Sequence, residues 1–418
     1  MNNANRRWGV LGSLVLLLIG GNCIVAQDWP QWRGPNRDNK VTGFTAPQTW
    51  PKELMKKWNV KVGLGDASPA LVGDKIYVFT RQDGDEVALC LDAGTGKELW
   101  QDKYPAQAVS GPAGSHPGPR SSPSVADGKV CTLGVSGVLS CLDAATGKVV
   151  WRKETKAWPN FFTASSPVIF EGKCIAFLGG RDKGEFVAYD LTSGEEKWKW
   201  AGEPPAWGSP ALLTVDGTKQ MVTPTMKSLV SIGTDDGKLL WQVAFAPRYN
   251  NGTPIIEGQT VFFSGQGQGL GTVALKIEKK GDIFSANEIW RKKEAAHQYN
   301  TPVLKEGLLF GLSAGAGGGR GGATNLYCMD AKTGEVLWTD KTNRGECGTV
   351  LDAGSVLLCL TSNSELVAFK PSNKGYEELA KYKVSEKSGL EGTWAYPIVS
   401  GNRVFVKDRD SLTLWSIE

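Results

Sequence analysis

The stretch LDAGTGKELW, residues 91–100, ends on Trp100, and close copies of it recur along the chain. LDAATGKVVW ends at Trp151, YDLTSGEEKW at Trp198, IGTDDGKLLW at Trp241 and MDAKTGEVLW at Trp338. With Trp58 and Trp290 included, the tryptophans lie roughly 47 residues apart, the size of a four-stranded propeller blade. Each unit carries the same punctuation. A Ser-Pro or Thr-Pro pair opens it, at Ser68, Ser122, Ser166, Ser209, Thr253 and Thr301. Short runs rich in Val, Leu and aromatic residues follow between turns, as in KIYVFT and EVALCLDA, and a fourth run holds the Trp. No helical periodicity of useful length lies between them.

The chemistry of the motif explains its return. Asp92 and its equivalents can bond the backbone two residues on and so start a turn. Gly96, Gly147, Gly194, Gly237 and Gly334 supply a positive φ without steric penalty. A Trp on the outermost strand can wedge against the neighbouring blade. Cys90, Cys141 and Cys328 share a slot with Ala188, so the slot asks for a small buried side chain.

The two ends complete the pattern. Residues 56–62, KKWNVKV, read as a fourth strand with no preceding three. Residues 395–418 read as three strands with no fourth. Joined, they make one blade from both termini, which removes the open edge. The expected fold is all-β: an eight-bladed β-propeller of four-stranded blades over residues 56–418, its ring closed by N- and C-terminal strands. The unit at residues 348–384 matches the pattern least, with Lys370 in place of the Asp and Tyr382 expected at the Trp position.

The formal charge of +4 falls to +2 without Arg6 and Arg7, so the surface gives no electrostatic reason to bind nucleic acid or an anionic membrane. Arg6 and Arg7 precede an apolar run, residues 9–19, that is too short to span a bilayer. With small residues at 24–26, this reads as a signal peptide over residues 1–26, followed by an N-terminal segment over 27–55. The expected location is exported, periplasmic or in the cell envelope, and Cys23 is the candidate for a lipid anchor. No C-x-x-C or C-x-x-C-H is present, which removes zinc ribbons, thioredoxin-type redox and covalent c-type haem from consideration. Cys131 and Cys141 flank the turn around Ser136 at equal distance, so they should face each other, as a disulfide or as two packed thiols.

DAGTGKELW and its copies resemble the tryptophan-docking repeat of pyrroloquinoline quinone (PQQ) propellers, and DWPQWRGPNRDNKVTG, residues 28–43, resembles the segment that precedes blade one in that superfamily. The resemblance covers nearly all of the chain after residue 26. It implies two kinds of function. One is a non-catalytic scaffold like the propeller of the outer-membrane β-barrel assembly machinery, with a protein partner and no cofactor. The other is a quinoprotein alcohol dehydrogenase, poly(vinyl alcohol) type included, with PQQ and Ca²⁺. The dehydrogenases resemble one another in a vicinal Cys-Cys pair, and here no two cysteines are adjacent. The Ca²⁺ ligands find no residue-by-residue match either. The favoured reading is the scaffold.

Other motifs carry little. GLSAG, residues 311–315, fits G-x-S-x-G, but it ends a strand, and both His116 and His297 precede it. The glycine-rich residues 265–271 and 315–322 open no helix that would aim amides at a phosphate. RQDGDE, residues 81–86, reads as a solvated turn. One constellation survives. The long connections, at residues 105–121, 155–164, 201–208, 244–252, 315–322 and 385–393, all fall on one face of the propeller. The residue two before each strand-opening Ser, Thr or Tyr should ring the channel mouth on that face. These are Asp66, Arg120, Ala164, Trp207, Asn251, Tyr299 and Trp394. Exposed aromatics beside an Arg mark a binding surface, so Asp66, Arg120, Trp207, Asn251, Tyr299 and Trp394 form the expected recognition patch for a protein partner.

Overall fold

A computed structural model of the chain describes residues 27–267, 270–293, 295–297, 299–313 and 322–418. The expected signal peptide, Cys23 and most of the loop at 315–322 lie outside the described residues. Eight antiparallel sheets of four strands form the eight blades of the propeller. From innermost to outermost strand, blade 1 runs from Ala70–Val72 to Glu98–Pro105 and blade 2 from Ser124–Ala126 to Val149–Glu154. Blade 3 runs from Val168–Phe170 to Glu196–Gly202, and blade 4 from Ala211–Val215 to Leu239–Ala244. Blade 5 runs from Ile255–Glu257 to Ile283–Lys292, and blade 6 from Val303–Lys305 to Val336–Thr339. Blade 7 runs from Gly348–Ala353 to Glu378–Lys383. Blade 8 takes three strands from the C-terminus, beginning with Ile398–Ser400, and its outer strand Met55–Lys61 from the N-terminus. Trp58 there stands opposite Leu414. Among the described residues no helix is long and apolar enough to cross a membrane.

The repeated motif is an inter-blade joint. Trp58, Trp100, Trp151, Trp198 and Trp290 each donate their indole N–H to a backbone carbonyl of the next blade, Ala93, Ala144, Leu191, Thr234 and Ala331 respectively. Each of those indoles also lies against the turn glycine of that blade: Gly96, Gly147, Gly194, Gly237 and Gly334. These glycines have φ between 70° and 73°, and a Cβ at any of them would lie only 2.5 to 2.8 Å from its nearest neighbour. The joint therefore needs glycine twice over, for the backbone angle and for the space. The Asp of the turn accepts from the residues that follow it. Asp143 Oδ1 takes the N–H of Ala145 and of Thr146. Burying an indole of about 200 Å² at about 25 cal/mol/Å² sets an upper bound near 5 kcal/mol for each joint.

Strand register gives the reason for the small slot. Cys90 stands directly opposite Trp100, Cys141 opposite Trp151, Ala188 opposite Trp198 and Cys328 opposite Trp338. In each blade the register shifts immediately after that residue, so the bulge and the indole share one site. Cys131 and Cys141 are register partners, as the sequence implied, and both are free, buried thiols. Two seams depart from the pattern. Trp241 turns its N–H to Gln220 of its own blade, because blade 5 replaces the short Thr-Gly turn with a long hairpin, Gly271–Lys280 and Ile283–Lys292. In blade 7 the slot residue Ala368 faces Ala380, so Tyr382 does not occupy the Trp position. The longer turn before Glu378 moves Tyr382 two residues on, opposite Leu366. There it packs beside Trp50, and its hydroxyl donates to Pro51 O.

The N-terminal segment fills the channel. Trp29 pairs with Leu71 at the inner edge of blade 1, and Val125 N donates to Pro30 O in blade 2. The chain reaches Trp32, turns, and returns to pair Lys40 with Asp352 of blade 7. Trp29, Arg33, Arg37, Asn39 and Val41 are all buried in this loop.

Candidate functional site

The strand-opening residues build the channel mouth. Ser68 N donates to Ser122 Oγ, Ser122 N to Ser166 Oγ, and Ser166 N to Ser209 Oγ. Thr253 N donates to Thr301 Oγ1, Thr301 N to Tyr396 OH, and Tyr396 N to Ser68 Oγ. Hydroxyl oxygens thus stitch one blade to the next around the axis. Blade 7 opens with Gly348 rather than a Ser-Pro pair, and the long Tyr396 side chain bridges it.

Above this belt lies a cavity of about 370 Å³. All seven residues expected at the mouth line it: Asp66, Arg120, Ala164, Trp207, Asn251, Tyr299 and Trp394. Sequence reasoning missed His116, Phe161, Arg248 and Tyr249, which the long loops contribute, and Glu346. It also missed Trp32, the apex of the channel loop, which donates to Thr253 Oγ1 and packs at a tilt against Tyr396, ring centroids 4.3 Å apart. Loop residues have no periodicity to reveal them. Their aromatic content, concentrated in the long connections, was the available signal.

The aromatic side chains form a circuit. Ring centroids are 5.7 Å apart for Phe161–Trp207, 6.4 Å for Trp207–Tyr249, 6.4 Å for Tyr249–Tyr299 and 5.8 Å for Tyr299–Trp394. His116 meets Trp394 edge-on at 4.6 Å. Arg120 closes the circuit by donating to His116 O at 2.9 Å and Phe161 O at 2.6 Å. Phe161 and Tyr299 hold φ of 62° and 57°, a region bulky residues rarely adopt. Backbone strain of this kind collects at functional sites. Both rings remain over a third exposed.

The polar groups are already engaged. His116 Nδ1 lies 2.6 Å from Asp66 Oδ2. Burial pushes the Asp66 carboxyl up, but the His116 hydrogen bond and the charges of His116, Lys407 and Arg120 outweigh it and hold Asp66 below its ordinary value. Beneath Asp66, Lys407 is fully buried and donates to the carbonyls of Gly63, Gly65, Asp408 and Arg409. Burial pulls its ammonium down to about 8.

Asp66 and Glu346 are the carboxylates lining the cavity among the described residues, beside the amide side chains of Asn251 and Asn300. Asp66 is held by His116 beneath positive charge from Lys407 and Arg120. Among the described residues no cluster of three or more His, Cys, Asp or Glu side chains is placed to hold a metal.

Comparison with known proteins agrees with the fold and divides on function. The family profile described as outer membrane protein assembly factor BamB matches residues 84–340 and 322–418. The outer membrane protein assembly factor BamB of Burkholderia pseudomallei is 22% identical over 363 residues, covering 76% of this chain and 88% of that protein. The quinohemoprotein alcohol dehydrogenase of Comamonas testosteroni is 27% identical over 195 residues, covering 44% of this chain and only 27% of the enzyme. Among solved structures, BamB from Moraxella catarrhalis superposes with a TM-score of 0.61 at 16% identity, over 87% of this chain and 98% of that one.

Proposed function

We propose that this chain, which belongs to the BamB family of PQQ-like propellers, is an exported, non-catalytic scaffold of the cell envelope that binds a partner protein through its long-loop face. The role that best fits is outer-membrane protein assembly. The observation that carries the reading is the aromatic circuit, closed through Arg120, around a preformed cavity. Rigid rings with few rotatable bonds lose little entropy on binding, and desolvated aromatic and Arg side chains dominate protein interfaces. The partner would insert an apolar side chain or a loop tip among Phe161, Trp207, Tyr249, Tyr299 and Trp394. One further fact supports the scaffold over a quinoprotein dehydrogenase: in sequence the BamB relative spans most of both chains, whereas the Comamonas testosteroni dehydrogenase is matched over about a quarter of its length.

Site-specific photo-crosslinking in the native host tests this. Leu390 lines the cavity and is 46% exposed, whereas Ile283 is 75% exposed on the outer hairpin of blade 5. A crosslinker at Leu390 should give a discrete protein adduct, and one at Ile283 should not. Adducts at Ile283 alone would move the binding surface to the rim. Micromolar binding of PQQ to the purified protein, without a protein adduct at Leu390, would favour the dehydrogenase.

A further inference from the structure

The loop that plugs the channel buries two positive charges without a negative one. Arg33 and Arg37 are 1% and 5% exposed. Each guanidinium nitrogen of Arg33 donates a hydrogen bond. Nε donates to Arg37 O at 3.1 Å, Nη1 to Thr301 O at 3.0 Å and Nη2 to Pro302 O at 2.9 Å. Arg37 is satisfied on one side only, where Nη1 reaches Gln31 Oε1 at 3.1 Å and Pro167 O at 3.3 Å. Its Nε and Nη2 are buried and have no hydrogen-bond partner. These two nitrogens form one edge of the guanidinium, the edge that presents two parallel N–H groups to an anion. Among the described residues neither arginine has a carboxylate within ion-pair distance.

Physical chemistry makes that arrangement incomplete. A guanidinium stays protonated in proteins. Burying an ionised group without a counter-charge, and leaving its donors unmet, are both strongly unfavourable. Burial and the neighbouring Arg33 charge together pull Arg37 down to about 9, as expected of a cation that lacks compensation. Among the described residues, the loop bonds to the inner strands, or to the residues that open or close them, in every blade except blade 4. In blade 4 Leu212 and Thr214 are exposed, while their neighbours Leu213 and Val215 are fully buried. Leu213 and Val215 pack toward blade 5, so Leu212 and Thr214 lie on the side of blade 3, whose Pro167 O receives Arg37.

We propose that the channel holds one small monovalent anion on the Nε–Nη2 edge of Arg37, with Arg33 supplying the second positive charge. The anion completes the plug: it offsets the charge of Arg37, while Arg33 is also drawn by the nearby Asp38 carboxylate, and it locks the loop that sets Trp32 under the mouth cavity. The site is independent of the partner-binding reading, since it lies on the channel loop rather than on the long loops.

Bromide provides the test. Crystals of the mature protein grown with sodium bromide, measured at the bromine absorption edge, should give an anomalous peak at hydrogen-bond distance from Arg37 Nε and Nη2. The melting midpoint should be higher in sodium chloride than in sodium gluconate at equal ionic strength, by about 2 °C or more. Arg37→Gln should abolish that difference, and Arg120→Gln at the mouth should preserve it. Absence of an anomalous peak at Arg37, or a chloride effect that survives Arg37→Gln, would overturn the proposal. The bromide measurement uses the wild-type protein, so it stands even where Arg37→Gln folds poorly.

Discussion

Tryptophan serves two different ends in this molecule, and its position in the repeat separates them. Trp151 recurs in register. It is 8% exposed, lies on Gly194 of the next blade and gives its N–H to Leu191 O. Trp207 and Trp394 fall outside the repeat, line the mouth cavity, and give their N–H groups to the long loops themselves, at Asn160 O and Gly389 O. The same indole is a seam in one place and a surface in the other. A periodic aromatic answers a demand that every blade makes. An aperiodic one must answer a demand of its own, and three of them, Trp32, Trp207 and Trp394, converge on one cavity.

The sharpest way to break this contrast is to remove a seam altogether. Deleting residues 55–61 strips blade 8 of its outer strand and takes Trp58 from Gly96. The ring should lose this joint, worth up to about 5 kcal/mol, together with the ladder of the outer strand, read as a collapse of the thermal transition. A truncated protein that melts like the intact one would refute closure by the two termini. Trp151→Ala should cost about 3 to 5 kcal/mol in denaturant unfolding. Trp207→Ala with Trp394→Ala should cost no more than about 2 kcal/mol, because each half-exposed indole gives up a single loop hydrogen bond. Equal losses in the two variants would erase the distinction.

The two histidines repeat the contrast on a smaller scale. His116 lines the cavity. His297 is fully enclosed between Ser264 Oγ and Tyr327 OH, and burial pulls its pKa down to about 3. A folded value below the unfolded 6.5 means that the unfolded chain takes up the proton first as pH falls. His297 thus contributes stability that is fully present above pH 6.5 and is lost as pH drops toward 3. The slope should be about 1 kcal/mol per pH unit. Unfolding of His297→Gln measured across that range should show a flatter dependence. An unchanged slope would assign the acid sensitivity to other groups. The smallest effect belongs to the irregular seam: Tyr382→Phe removes only the hydroxyl bond to Pro51 O and should cost about 1 kcal/mol by denaturant titration.

The seams were legible in the sequence because each repeats one physical requirement. A turn needs a left-handed glycine, an indole needs a flat neighbour, and the residue opposite it must be small. The shared blade followed from a fourth strand at one end and three at the other. Blade 7 was misread at Tyr382 because counting to the nearest aromatic ignored a longer turn, and only strand register places Ala380 opposite Ala368. At the mouth, the residues fixed by their distance from a strand opening were legible: Asp66, Arg120, Ala164, Trp207, Asn251, Tyr299 and Trp394. His116, Phe161 and Tyr249 were not, since a loop's path depends on contacts such as Arg120 to Phe161 O that no local pattern encodes. Trp32 was beyond reach for a further reason, because its place depends on a segment that enters the channel from the opposite end.

The central claim is that the aperiodic aromatics form the recognition surface. Photo-crosslinking from Leu390 in the native host, compared between the wild type and the Trp207→Ala, Trp394→Ala variant, tests it most directly. The account predicts a discrete protein adduct in the wild type that disappears in the variant while the propeller still folds. An adduct of equal yield from both proteins would contradict it.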